Sequence, residues 1–291
     1  MVWESVIDEF GKSIDVNGFY HWDRSFSEFK EKYNLKATRT TPEYLSIDFW
    51  SRQRKELRDK GWYILRVGKG SFAVFSEDDF PHPYTQLDYK KAKNLEVSIP
   101  AKIPSLIESF KLMMDNKASA EDSILELLRF CDIYGSFISA ISGSTSYYVG
   151  PRGNFRSSFK MAMKKNTGEI VEFDYVGQIE LDYSLWTEDK VFLIEAKSRQ
   201  RGGMDIGWHK LAFPAPHYME IAQRHDLDII PVYLIRKYSK VQDQVFFFVF
   251  PPIEYDEPLV LNDKQTMKPE NIFKVDLNSI LLSGQQRLET Y

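Results

Sequence analysis

The stretch from Ile179 to Lys197 carries the residues best suited to chemistry. Asp182 ends the strand-like run Ile179-Glu180-Leu181-Asp182, and a polar turn follows at Trp186-Thr187-Glu188-Asp189. The apolar strand Val191-Phe192-Leu193-Ile194 then runs into Glu195-Ala196-Lys197. Side chains alternate along a strand, so Glu195 and Lys197 share a face, and a hairpin closing at the turn brings Asp182 beside them. Two carboxylates hold a hard cation such as Mg²⁺, which polarises a phosphate and acidifies water. An ammonium beside them orients the nucleophile or offsets charge at a pentavalent phosphorus. The pattern therefore predicts phosphodiester cleavage.

Spacing alone does not single out this site. Asp/Glu-x-Lys also occurs at Glu28–Lys30, Asp88–Lys90, Asp115–Lys117 and Glu188–Lys190. Glu195–Lys197 differs because it ends a run of apolar strand formers with an acidic residue on the preceding strand. The competing reading is a hairpin whose exposed end carries an ordinary Glu–Lys pair. Unpaired charge at the end of a buried strand is costly, which favours a site.

The elements that must position these residues are legible in outline. Ser25 caps a short helix containing Phe26, Phe29 and Tyr33, and Thr41-Pro42 opens a second helix running through Leu45, Phe49 and Leu57 to Lys60, where Gly61 stops it. Trp62–Val67, the turn Gly68-Lys69-Gly70 and Ser71–Phe75 form a hairpin, and Pro81–Thr85 reads as a loop. Helix, basic helix and hairpin is the order of a winged helix, a DNA-reading module; a small α+β cap is the equal alternative. Amphipathic helices follow at Lys102–Asn116 and Glu121–Tyr134. Strands are expected at 155–163, 169–175, 178–184 and 191–197, a looser segment at 198–213 and a helix at 216–224. Strands at 229–235 and 245–250 and a final element near Leu277–Leu282 complete the reading.

At 291 residues, with 43% hydrophobic and 15% aromatic content, the chain can bury a substantial core. Cys131 is its single cysteine, which excludes a disulfide framework and a zinc–cysteine cluster. The N-terminus lacks a basic, apolar leader and no apolar run reaches membrane length, so a soluble cytoplasmic protein without membrane partners is expected. Net charge is −4, yet basic residues gather in three places. Arg52, Arg54 and Lys55 form one group with Arg58 and Lys60. Arg156 and Lys160 form another with Arg152, Lys164 and Lys165. Arg199, Arg201 and Lys210 follow the carboxylates. Any one group can be a solvated face. Two groups flanking an acidic centre predict a positive cleft for a DNA backbone.

Helix, three mostly antiparallel strands with Asp on the second and Glu-x-Lys on the third, then helix and strand: this order resembles the PD-(D/E)XK nuclease superfamily. Leu181 stands where many members have proline. Asp205-Ile206-Gly207-Trp208-His209-Lys210-Leu211-Ala212-Phe213-Pro214 is similar to a stretch after Glu-x-Lys in a group of type II restriction endonucleases, with Lys210 where that group tends to have Gln. The resemblance covers about 121–235. It implies Asp182 and Glu195 as Mg²⁺ ligands, the Ala196 carbonyl as a further oxygen donor and Lys197 as the residue that positions the attacking water. It also implies an acidic residue from the first core helix, Glu121 in preference to Glu126. Glu180 is a candidate second partner.

The expected architecture is thus α/β (α+β-like): residues 1–92 as a winged-helix-like recognition module and 93–291 as a restriction-endonuclease-like core, a mixed central sheet flanked by helices. The expected function is a Mg²⁺-dependent, sequence-specific endonuclease of double-stranded DNA, a prokaryotic type II restriction enzyme acting as a homodimer, because two sites related by a twofold axis cut both strands of a palindrome. The alternatives are a structure-specific repair or recombination nuclease of the same fold and a non-catalytic winged-helix DNA-binding protein.

Overall fold

The computed structural model describes residues 2–34, 47–97, 120–144, 146–197, 205–238, 242–254 and 257–279. The chain begins with helix α1 (Val2–Asn17), strand β1 (Phe19–Trp22), helix α2 (Phe26–Lys32), a 3₁₀ turn (Trp50–Arg52), helix α3 (Lys55–Arg58) and strands β2 (Trp62–Arg66) and β3 (Phe72–Ser76). Ile7, Phe10 and Ile14 recur at helical spacing on α1 and are buried. Phe10 stacks on Tyr20 of β1 at 4.1 Å between centroids and faces Phe29 and Phe72. Gly18, at φ +77°, turns the chain from helix into strand. The Ser25 hydroxyl accepts from the Glu28 N–H at 3.3 Å, the expected N-cap, and donates to the Glu28 carboxylate at 2.8 Å.

The expected hairpin is present, and β1 joins it in a three-stranded antiparallel sheet of order β1-β3-β2. The expected continuous helix to Lys60 is corrected. Thr41–Leu45 lie outside the described residues. From Ile47 the chain is extended, makes the 3₁₀ turn and restarts only at Lys55. Gln53 sits at the break with non-helical backbone (φ −56°, ψ 149°), and its buried side chain donates to the Ile64 carbonyl (3.3 Å) and the Tyr84 hydroxyl (2.7 Å).

Strands β4 (Tyr84–Gln86) and β5 (Lys93–Asn94) lead to helices α4 (Ala120–Phe130) and α5 (Ile133–Ser142). Then come β6 (Tyr148–Val149), β7 (Gly153–Lys164), β8 (Ile170–Leu181), β9 (Tyr183–Trp186) and β10 (Lys190–Lys197). After β11 (Asp205–Gly207) follow α6 (Trp208–Ala212), α7 (Ala215–His225), β12 (Asp228–Tyr238), β13 (Asp243–Val249), β14 (Leu259–Val260) and β15 (Asn271–Asp276).

The central sheet is mixed, of order β5-β15-β13-β12-β10-β9-β6, with β10 parallel to β12 and antiparallel to β9. It is covered on both faces, as a parallel pair requires. Phe192, Ile194 and Ala196 of β10 face a core shared with α4 and α5, whereas Val191 and Leu193 face the core under α6, α7 and the β7–β8 ribbon. The architecture is therefore mixed α/β, as the expected order of helices and strands implied. Among the described residues no helix is long and apolar enough to cross a membrane.

Three further expectations change. The strands expected at 169–175 and 178–184 are joined: β8 runs unbroken from Ile170 to Leu181 against β7, and the interruption falls at Asp182. Within the expected loose segment, 198–204 lie outside the described residues, while β11 pairs with β4 and α6 is buried, Trp208 being 1% exposed. Pro81–Thr85 accordingly runs into a strand rather than remaining a loop. The expected helix Lys102–Asn116 lies outside the described residues, as do the last residues of the element expected at Leu277–Leu282; its described part, 277–279, is helical and follows β15, which ends at Asp276.

Candidate active site

Asp182 sits where one chain changes sheets. Leu181 is the last residue of β8 to pair with β7, opposite Gly153, and Tyr183 is the first of β9 to pair with β10, opposite Ile194. The single residue between belongs to neither ladder, and its carboxylate Oδ2 accepts the Ala196 backbone N–H at 2.7 Å. That bond fixes Asp182 against the end of β10, beside Glu195. Glu195 is 5% exposed, and the Lys197 Nζ donates to its Oε1 at 2.8 Å. Glu121, on the first described turn of α4, places Oε2 3.8 Å from the same ammonium. The four residues singled out for catalysis are thus gathered in one cluster.

The cluster is short of positive charge. Burial first, and then the charge of Glu195, push the Asp182 carboxyl up to about 7, against the opposing pull of Lys197 and the Ala196 N–H. Burial pulls the Lys197 ammonium down, but Glu195, Asp182, Glu121 and Asp48 outweigh it and hold the group well above its ordinary value. Lys197 therefore stays protonated and cannot by itself neutralise the carboxylates around it.

Asp48 and Lys210 complete the cluster. Asp48 was not singled out from the sequence. It lies between the buried Ile47 and Phe49, and an acidic residue embedded in an apolar triplet was the signal available. Its carboxylate Oδ1 lies 3.2 Å from the Lys210 Nζ. The segment is anchored from both sides: the Gly207 N–H donates to the Asp48 carbonyl at 2.7 Å, and the Ser51 N–H and hydroxyl donate to the Asp205 carboxylate at 3.0 and 3.1 Å. Lys210, expected among the DNA contacts, is a half-buried member of this cluster: burial pulls its ammonium down, and Glu195 and Asp48 outweigh that and raise it. The Tyr233 hydroxyl, buried opposite Glu195 in the β10–β12 register, has no hydrogen-bond partner among the described residues.

The other expected residues are elsewhere. Glu126 is engaged by Arg129 (2.9 Å) and Arg152 (3.4 Å). Glu180 is exposed on β8 opposite Asn154. Arg156 and Lys160 are exposed on β7, Lys160 lying 3.9 Å from Glu172 across the ribbon. Arg52 stacks over Phe49 at 4.7 Å, Arg54 precedes α3 and Lys55 begins it. Arg199 and Arg201 lie outside the described residues.

The donor set suits a hard cation in one respect. Among the described residues no three His, Cys, Asp or Glu side chains converge as a metal cluster. Mg²⁺, however, is commonly held by one or two carboxylates with water completing its shell. The adjoining, under-neutralised carboxylates of Asp182 and Glu195, beside the Ala196 backbone, supply that number and that charge.

A family model described as Domain of unknown function (DUF6997) matches residues 81–271, about two thirds of the chain, including Glu121, Asp182, Glu195 and Lys197. No curated protein matches the sequence.

Proposed function

This chain belongs to the DUF6997 family, and we propose that it is a Mg²⁺-dependent endonuclease of double-stranded DNA, a type II restriction enzyme. The observation that carries the reading is the convergence of Asp182, Glu195 and Lys197 at a sheet break, tied by the 2.7 Å bond from Ala196 to Asp182. A structural role explains this poorly, because burying like charges together lowers stability.

The element order supports a restriction-endonuclease-like core. Helix α4 is followed by the β7–β8–β9–β10 meander with its carboxylates, then by α7 and the parallel strand β12. At the N-terminus, the succession from α1 to β3 and the sheet order β1-β3-β2 support a winged-helix-like recognition module, with the basic Arg52 in the 3₁₀ turn, Arg54 just before α3 and Lys55 at its start.

Asp182 and Glu195, with the Ala196 carbonyl, would hold the Mg²⁺. When bound, such an ion would supply Lewis acidity toward a phosphate oxygen and toward water. Glu195 fixes the Lys197 ammonium, which remains protonated and so acts by orienting a water through a donated hydrogen bond and by stabilising negative charge at the phosphorus. Asp48 holds Lys210 beside the cluster as a second cation for that charge. The proposed partner is duplex DNA, cut in both strands by a homodimer, and the proposed setting is a prokaryotic cytoplasm.

The test is incubation of wild type and Lys197→Ala with mixed plasmid and phage DNA, with Mg²⁺ or with EDTA. Discrete fragments from wild type alone, lost in EDTA, are the expected result. Intact DNA under every condition would overturn the proposal.

A further inference from the structure

Across the central sheet, Glu195 stands between two neighbours. Asp182 lies on one side, one step beyond the Ile194–Tyr183 pair of β10 and β9, and Tyr233 of β12 lies directly opposite on the other. Side chains at matched positions of neighbouring strands share a face. The Tyr233 ring therefore stands beside the Glu195 side chain, in the core under α6 and α7.

Tyr233 is 0% exposed, and its hydroxyl has no hydrogen-bond partner among the described residues. Burial holds the phenol well above its ordinary value, so it is neutral and carries a proton to donate. After burial, the groups that act on it are Lys197, Glu195, Tyr89 and Asp48. Three of those four belong to the acidic cluster. The hydroxyl is thus held among the charges of the site without being bonded to any of them.

Packing does not account for that oxygen. A phenylalanine would keep the ring and leave no polar atom unpaired, and the adjacent strand has Phe248 in register with Tyr233. A buried hydroxyl without a partner calls for a reason of another kind. Glu195 supplies one. Its Oε1 accepts from Lys197 at 2.8 Å, and the same ammonium is the group assigned to orienting the attacking water. A carboxylate that turns towards a cation while its lysine turns towards water needs a second donor. Hydrogen bonds to a ligating carboxylate fix its orientation, and a neutral phenol makes one without adding charge.

We propose that Tyr233 is a positioning residue for Glu195, its hydroxyl donating to the carboxylate when that carboxylate holds a divalent cation and standing idle in the metal-free protein. The inference rests on the reading of Asp182 and Glu195 as Mg²⁺ ligands. Tyr233 acts only through Glu195 and forms no bond to the substrate.

The experiment follows the melting temperature of wild type and Tyr233→Phe through a Mg²⁺ titration that starts in EDTA. In EDTA the variant should melt at or above wild type, because the hydroxyl removed has no partner there. It should need about 10–100-fold more Mg²⁺ for the same rise in melting temperature. Plasmid cleavage should be slow at limiting Mg²⁺ and recover towards wild type in excess. Tyr134→Phe is the control: that hydroxyl is also buried and unpartnered among the described residues, but it lies in the core shared with α4 and α5, so the Mg²⁺ requirement should not change. An unchanged requirement in Tyr233→Phe, or an equal change in both variants, would overturn the proposal and leave the nuclease reading standing. A lower melting temperature in EDTA would do the same, by giving the hydroxyl a structural bond. Wild type that neither responds to Mg²⁺ nor cuts DNA would remove the metal site, and the role of Tyr233 with it.

Discussion

The backbone N–H of Ala196 reaches across 2.7 Å to the carboxylate of Asp182, fourteen positions earlier in the chain. The bond ties the residue at which one strand leaves the outer ribbon to the strand that carries Glu195 and Lys197. The acidic pair is thereby set by main-chain geometry, not by flexible side chains. That is the rigidity the proposed phosphodiester chemistry would require.

Because burial and Glu195 both disfavour the charged form of Asp182, removing that charge should stabilise the metal-free fold. Asp182→Asn is expected to melt several degrees higher than wild type in EDTA at neutral pH, at roughly 2–4 °C per kcal/mol for a chain of this size, while losing DNA cleavage. A lower melting temperature would contradict the like-charge account.

Mg²⁺ should do the same without mutation. A ligand at one hundred times its dissociation constant adds about 2.7 kcal/mol, so wild type should melt higher in Mg²⁺ than in EDTA. Glu195→Gln should show little or no such difference. An equal shift in both proteins would place the ion elsewhere.

Asp48 couples the N-terminal elements to the cluster through Lys210. Each side chain is 25% exposed, so losing one partner is expected to cost about 1–3 kcal/mol, below the figure for fully buried pairs. Asp48→Asn combined with Lys210→Met should cost less than the sum of the single changes. Strict additivity in urea unfolding would show that the contact carries no coupling.

Arg236 and Asp243 form a two-bonded pair at 2.8 and 2.9 Å, with side chains 4% and 2% exposed, at the end of the β12–β13 hairpin. Asp243→Ala leaves a buried guanidinium unmatched and should cost about 3–5 kcal/mol. A loss below 1 kcal/mol in chemical unfolding would mean that water reaches the arginine.

His209 makes stability sensitive to mild acid. Burial depresses its folded pKa from 6.5 to about 3, so below pH 6.5 the unfolded chain takes up a proton that the folded chain refuses. The contribution of neutral His209 is therefore complete above pH 6.5 and lost as pH falls towards 3, by about 2 kcal/mol at pH 5 from a slope of 1.36 kcal/mol per unit. His209→Gln should flatten the stability profile between pH 7.5 and 5 by about that amount. An unchanged profile would sink this account.

Local pattern was enough to locate Asp182, Glu195 and Lys197, because alternation along a strand and a turn of polar residues are properties of neighbouring positions. The Ser25 cap and the β2–β3 hairpin were legible for the same reason. Helix α1 went unpredicted although Ile7, Phe10 and Ile14 carry its stripe. Tertiary structure alone decided the rest. A sheet change at Asp182, the burial of Gln53 where an expected helix breaks, and the arrival of Asp48 beside Lys210 from 162 positions away in the chain all depend on which surfaces pack together. Sequence spacing holds no record of such contacts, since their energy comes from burial and pairing between elements that the chain brings together only when folded.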